Sequence, residues 1–278
     1  MLADLIQVVV VGIAVLTFVL ICMTLGIVAG IMAGLLGIGG GLIIVPALVY
    51  LLPVFLNIPI EQVMVVAVAS SLCSIIVTSA SSAWAHQKLH HINWDYTRTL
   101  MLGAAIGAIL TGYLADLINP NILKKLFAVV VLVLALRMLF NILNSSGNSL
   151  PGKSVLTGIS VLLSTCSSLL GIGGGALYVP MLSHYSVGVR QAIGSAAIVG
   201  FVIACLATTG YILAGWAEFA ETPGFLGYVY LPAVLGVVST SLFAAPFGAQ
   251  LTDRLPVRLI KKIFGVFLLL VSARMMFS

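Results

Sequence analysis

Apolar residues in this chain run in blocks instead of alternating with polar ones. Short polar breaks divide them into ten stretches, 5–36, 41–53, 62–85, 98–118, 123–143, 154–170, 175–185, 190–215, 226–252 and 256–277. Most reach about 20 residues, the length with which a helix rising about 1.5 Å per residue crosses about 30 Å of hydrocarbon. A membrane barrel would show alternating segments of about ten residues with a polar lumen face. That pattern is absent, so the spacing predicts spanning helices. The stretches 41–53 and 175–185 are too short to cross alone, since a helix of that size reaches less than about 20 Å.

Each short stretch follows the same heptapeptide, LLGIGGG, at 35–41 and 169–175, and each carries a proline five residues after the last glycine, Pro46 and Pro180. Two further landmarks recur in order. LKKLF (123–127) is followed by Arg137 and Met138, IKKIF (260–264) by Arg274 and Met275, and Asp116 and Asp253 each stand eight residues before the first lysine. Three ordered landmarks define an internal duplication. They divide the chain into a first transmembrane repeat (1–145), a polar, breaker-rich linker (146–153) and a second repeat (154–278).

Each repeat holds five stretches, so if all five cross, the second is inverted relative to the first. The charges agree. The loop HQKLHHINWDYTR (86–98) falls inside, as does the one with Arg254, Arg258, Lys261 and Lys262, while Glu218 and Glu221 fall outside. Lys124 and Lys125 go against the rule, because this topology puts them outside. If the short stretches instead re-enter, the copies become parallel and the most basic loop faces outward. The inverted arrangement with both termini outside is preferred. The fold class expected is therefore all-α, a polytopic transmembrane protein of two inverted repeats, each with a glycine-rich broken helix.

Inside hydrocarbon, irregular backbone survives only where protein or a polar cavity satisfies it. The two glycine runs thus predict two helix breaks. Each short helix would begin with free N–H groups at a positive dipole end, an anion site made without a charged side chain. Inverted breaks would meet near the midplane, where repeat transporters hold substrate. The candidate binding residues are Gly37, Gly39, Gly40, Gly41, Gly171, Gly173, Gly174 and Gly175, with Ser70, Ser71 and Ser195 as hydroxyl donors after the breaks and Arg190 as a guide for anions at the vestibule. The competing reading is close helix packing at the glycines, and serines bonded to their own backbone. Neither GKS nor GKT follows the glycines, which excludes a phosphate loop.

Composition sharpens the class. Of 278 residues 62% are hydrophobic and 7% charged, and the net charge of +5 sits between the stretches, where it reports topology and not nucleic-acid binding. All seven carboxylates lie at stretch ends or in loops, so a mid-membrane acid for proton or sodium relay is lacking, and a cation substrate is disfavoured. Paired aspartates and HExxH are missing, so no enzyme is expected. Cys22, Cys73, Cys166 and Cys205 all fall in apolar stretches without ligand spacing, so no metal, cofactor or disulfide is expected. Arg137 and Arg274, close to helix ends, read as snorkelling to headgroups. Trp84, Trp94 and Trp216 read as interfacial anchors. The opening MLADLIQVVVVG lacks a basic n-region and reads as a retained span.

The heptapeptide with its proline, the duplicated halves and the pattern ending in KKLF plus Arg-Met resemble the TauE/SafE family of sulfite and organosulfonate exporters, over nearly the whole chain. The resemblance implies a prokaryotic inner-membrane permease with about eight spans, moving small sulfur anions such as sulfite, sulfoacetate or related sulfonates outward by alternating access. Its partners are then the anion and the lipid bilayer, with a homo-oligomer left open. The alternatives are an importer of such an anion and a membrane anchor or regulatory subunit of a sulfur-metabolising system.

Overall fold

The computed structural model describes residues 2–56, 58–114, 119–140, 149–252, 254 and 257–277, with backbone alone for 2–11, 257–261 and 277. Asp116, Asp253 and residues 146–148 of the linker lie outside the described residues. Among the described residues ten helices follow one another: α1 (Leu2–Leu36), α2 (Gly41–Phe55), α3 (Ile60–Lys88), α4 (Trp94–Leu114), α5 (Pro120–Leu139), α6 (Lys153–Leu169), α7 (Gly175–His184), α8 (Val189–Ala214), α9 (Leu231–Leu251) and α10 (Val257–Phe277). A two-residue hairpin, β1 (Phe225–Leu226) and β2 (Val229–Tyr230), precedes α9. Five segments among these residues are long and apolar enough to cross a membrane: Gly12–Leu36 of α1, and α3, α4, α8 and α9.

Helix ends follow local chemistry. Gly37 takes φ 69° and donates its N–H to Ala33, the single-bond left-handed stop that frees the chain from α1. Gly171, at φ 65°, ends α6 with two bonds, Gly171 N–H to Ser168 and Ile172 N–H to Ser167, the Schellman arrangement. Pro120 stands at the first turn of α5, where its missing N–H removes nothing, and the Asn119 side chain accepts from the Asn121 N–H.

Contacts fix the directions. Along α1, Gly26 meets Val237, Gly30 meets Ser241, and Gly34 meets Ala245 and Ala249, so α1 and α9 run parallel. Along α4, Gly103 meets Thr157 and Ser160, and Gly107 meets Val161 and Ser164, so α4 and α6 run parallel. A Cβ on Gly26 would stand 2.2 Å from the Val237 carbonyl oxygen, and one on Gly107 would stand 1.9 Å from Ser164 Oγ. Glycines four apart let helix backbones touch, the association available where lipid removes the hydrophobic drive. The helix α3 pairs with α9 in parallel, Thr78 with Ser241 at 2.9 Å and Ser81 with the Leu242 carbonyl at 2.7 Å. It runs antiparallel to α8, where Ser79 lies by Gly200 and the α3–α4 turn by Gly194. The pair α5 and α10 is also antiparallel, with Gly265 against Ala135 and Ser272 bonded to the Ala128 carbonyl.

The helix α2 starts beside Ala29 and ends with Phe55 against Phe18, ring centroids 5.4 Å apart, so it doubles back along α1. Likewise the Tyr178 hydroxyl of α7 bonds the Ser160 carbonyl at 2.8 Å, well back from the end of α6. At the core stands α3, with 78% of its apolar window buried, whereas the outer faces of α1, α4 and α9 expose large apolar side chains such as Leu16, Leu102 and Phe243. That distribution suits a surrounding solvent as apolar as the core.

Expected and observed stretches differ most before α9. Residues 226–230 are apolar yet belong to the hairpin, where Phe219, Phe225, Tyr228 and Tyr230 stack on one another and Tyr230 reaches Phe18 at 5.6 Å. Aromatic clustering, indistinguishable from helix by apolar content, displaces the start of α9 to Leu231.

Candidate functional site

The turns 37–40 and 170–174 meet in the interior, main chain against main chain. A Cβ on Gly39 would lie 3.0 Å from the Gly173 Cα, and one on Gly173 would lie 2.7 Å from the Ile38 carbonyl oxygen. The contacts on either side are reciprocal: a Cβ on Gly41 would stand 2.1 Å from the Gly171 oxygen, and one on Gly175 1.8 Å from the Gly37 oxygen. Gly37 further packs on Ile193 of α8, and Gly171 on Val68 of α3. All eight glycines of the two runs are buried.

The first helical bonds of α2 run from Ile43 and Ile44 to Gly40, and those of α7 from Leu177 and Tyr178 to Gly174. The N–H groups of Gly41 and Gly175 therefore precede both ladders and carry the positive ends of the helix dipoles. Beside them lies a cavity of about 40 Å³, bounded by Ile38, Gly175, Ala176, Pro180, Ile193 and Arg137 among others.

Side chains from neighbouring helices satisfy the carbonyls that the turns strand. At the end of α1, Ala33 accepts from the Gly37 N–H at 2.8 Å and from Ser82 Oγ at 3.4 Å; Gly34 accepts from His86 Nε2 at 2.9 Å and Leu35 from Thr252 Oγ1 at 3.3 Å. At the second turn Ser71 Oγ donates to the Gly171 carbonyl at 3.0 Å and Ser167 Oγ to that of Ile172. Each of these stranded carbonyls thus finds a donor, as a dry interior demands. Ser71→Ala should lower the thermal midpoint of the purified protein, with the loss of roughly 1–3 kcal/mol that follows an orphaned buried acceptor; an unchanged midpoint would show that the Gly171 carbonyl has another donor.

The other expected site residues divide. Ser70 Oγ, fully buried, accepts from the Tyr230 N–H at 2.9 Å and so holds the hairpin against α3. Ser195 accepts from Thr97 Oγ1 at 2.8 Å and donates to the Tyr96 hydroxyl at 3.3 Å, tying α8 to the first turn of α4. Arg190 is exposed in the first turn of α8. Ser70, Ser195 and Arg190 are not among the residues bounding the cavity.

Two residues outside that set do reach it or the glycines. Ser79 of α3 lies where a Cβ on Gly39 would approach its Oγ to 3.2 Å. Arg137, in the last turn of α5, turns toward α7: Nη2 donates to the Pro180 carbonyl at 3.4 Å, and Nε is buried without a hydrogen-bond partner. The signal for Ser79 is its helical spacing, since Ser71, Ile75 and Ser79 follow one another at intervals of four along one face of α3.

Comparison with known proteins joins this geometry to a family. The sulfite exporter TauE/SafE family model matches residues 22–275. A "Probable membrane transporter protein" of Haemophilus influenzae is 39% identical over 262 residues, covering 93% of this chain and 98% of its own length. Another so named, from Methanocaldococcus jannaschii, is 27% identical over 238 residues, covering 83% of this chain and 85% of its own. A third, YunE of Bacillus subtilis, is 23% identical and covers 93% and 97%. No solved structure matches the chain significantly. A match that takes in both glycine turns, the cavity beside them and nearly every helix leaves one conclusion: the chain is a multi-pass membrane transporter of the sulfite exporter TauE/SafE family.

Proposed function

We propose that the protein carries a small sulfur-containing oxyanion, sulfite, sulfoacetate or a related sulfonate, outward across the cell's inner membrane by alternating access between two inverted repeats, 1–145 and 154–278, joined by 146–153. One observation carries the reading: the glycine turns pack reciprocally, Gly41 on Gly171 and Gly175 on Gly37, about a central Gly39 and Gly173 contact. A two-fold relation between the halves explains that exchange. It also explains why α1 pairs with α9 as α6 pairs with α4. Parallel partners for both first helices, with α3 antiparallel to α8, support inversion.

In this reading each repeat breaks its first helix at the glycines and returns along it through the short one. Two dipole ends then face each other in the interior, where an oxyanion gains charge-assisted bonds without a fixed counter-charge. Gly37, Gly39 to Gly41, Gly171 and Gly173 to Gly175 form the site, Ser71 holds its backbone, and Ser70, Ser195 and Arg190 serve from its surroundings. With the turns in contact, the anion enters from the adjoining cavity and passes when the turns part. Outward movement needs no coupled ion, since each negative charge leaving a cell at 100 mV, negative inside, gains about 2.3 kcal/mol.

Sulfite efflux from proteoliposomes tests the reading. Efflux should quicken when the lumen is made negative and slow when the potential is reversed, and Gly40→Leu and Gly174→Leu should abolish it. Efflux no faster than from protein-free vesicles, or full efflux with both variants, rejects it.

A further inference from the structure

We infer that the cavity between α5 and α7 is a binding pocket for a small organic anion, an oxyanion head on a body of one or two carbons, and that Arg137 is the residue that recognises the head. This deepens the transport reading above and rests on it. The walls decide the chemistry. Leu36, Ile38, Leu134, Met138, Val179 and Ile193 line the cavity with hydrocarbon, and Arg137 is its charged member. A site of this kind takes an apolar body and orients it through a few polar groups. A bare, heavily hydrated oxyanion would trade its shell of water for walls that mostly cannot donate.

The placement of Arg137 supports a guest. A guanidinium carries five N–H donors. Here Nη2 reaches the Pro180 carbonyl at a long 3.4 Å, while Nε is buried with no partner. An arginine in the last turn of a membrane helix ordinarily sends its head outward to water or headgroups. This one turns to the Pro180 carbonyl of α7, and its unpartnered, buried Nε belongs to a side chain that lines the cavity. The volume of about 40 Å³ is that of about three waters, or one compact anion. Gly175, whose N–H precedes the α7 ladder, lines the same cavity as Arg137. The planar donor fork of a guanidinium at the wall of a largely hydrocarbon cavity suits a multi-oxygen head such as a sulfonate.

The shared chemistry, an oxyanion with hydrocarbon attached, also belongs to an anionic lipid, so the test separates the two. The full chain is placed in nanodiscs of phosphatidylcholine alone, and binding of ethanesulfonate and of sulfite is measured by calorimetry. Ethanesulfonate should bind the native protein more tightly than sulfite. Arg137→Gln should weaken ethanesulfonate about tenfold or more, the size expected for losing a charged hydrogen bond, while Arg137→Lys retains part of the affinity. Ala176→Leu, which fills the cavity and leaves the charge, should weaken it as well. Folding of both the Arg137→Gln and the Ala176→Leu proteins is checked by their unliganded melting temperatures, and either one, once folded, overturns the inference if ethanesulfonate binds as before. Binding that responds only to added phosphatidylglycerol makes the cavity a lipid site and overturns it too. If Arg137→Gln binds normally while the glycine variants lose efflux, the pocket falls and the transport reading stands; if ethanesulfonate binds through Arg137 but nothing is transported, the pocket stands and the transport reading falls.

Discussion

Gly175→Ala should stop sulfite efflux altogether and lower the melting temperature of the purified protein. The added Cβ would stand 1.8 Å from the Gly37 oxygen and 2.1 Å from its carbon, and both obstructing atoms are main chain. No side-chain rotation relieves such a clash; the two turns must separate. Overpacking a filled interior costs roughly 1–3 kcal/mol, and a contact of two backbones stands at the top of that range. Gly41→Ala, reciprocal to it and 2.1 Å from the Gly171 oxygen, should behave alike. Gly158 supplies the control: it lies within α6 with nothing inside 4 Å, so alanine there should keep efflux and add roughly 0.5–1 kcal/mol of stability. Native efflux and melting by the Gly175 variant would mean that the turns are not held in contact.

The second large effect is expected at His86. This fully buried side chain donates through Nε2 to the Gly34 carbonyl and meets His91 through the two Nδ1 atoms at 3.1 Å. Because α1 stops at Leu36, its final carbonyls have no helical partner, and His86 supplies one of the donors that replace it. His86→Ala leaves that acceptor without its donor, at roughly 1–3 kcal/mol, and removes a ring from a packed interior. A clear fall in thermal midpoint should follow, with His86→Gln restoring part of it, because a side-chain amide also donates. Equal midpoints for all three proteins would show that the α1 terminus does not depend on this bond.

Legibility in the sequence followed local punctuation. The ends of α1 at Leu36 and of α6 at Leu169, and the starts of α2 and α7 at Gly41 and Gly175, lie within the two heptapeptides, whose glycines act locally. The ten apolar stretches each correspond to a helix. Other features depend on what arrives from elsewhere in the chain. Nothing near Arg137 announces that the Pro180 carbonyl, 43 residues on, will draw its guanidinium to α7. The hydroxyl-rich α3 reads as a row of donors, but whether a serine faces a guest or a backbone depends on neighbours: Ser70 meets the hairpin and Ser71 the second glycine turn. The doubling back of α2 is equally hidden, since length alone does not tell a helix that crosses from one that returns.

The glycine face of α1 also has a bearing on synthesis. Its partner is α9, and Thr240 Oγ1 reaches the Met23 carbonyl across 217 residues of chain. While the ribosome is still making the middle helices, Gly26, Gly30 and Gly34 have nothing to close against. The nascent first half must therefore wait in the lipid with an uncovered seam, and insertion of the last helices is the event that locks the first.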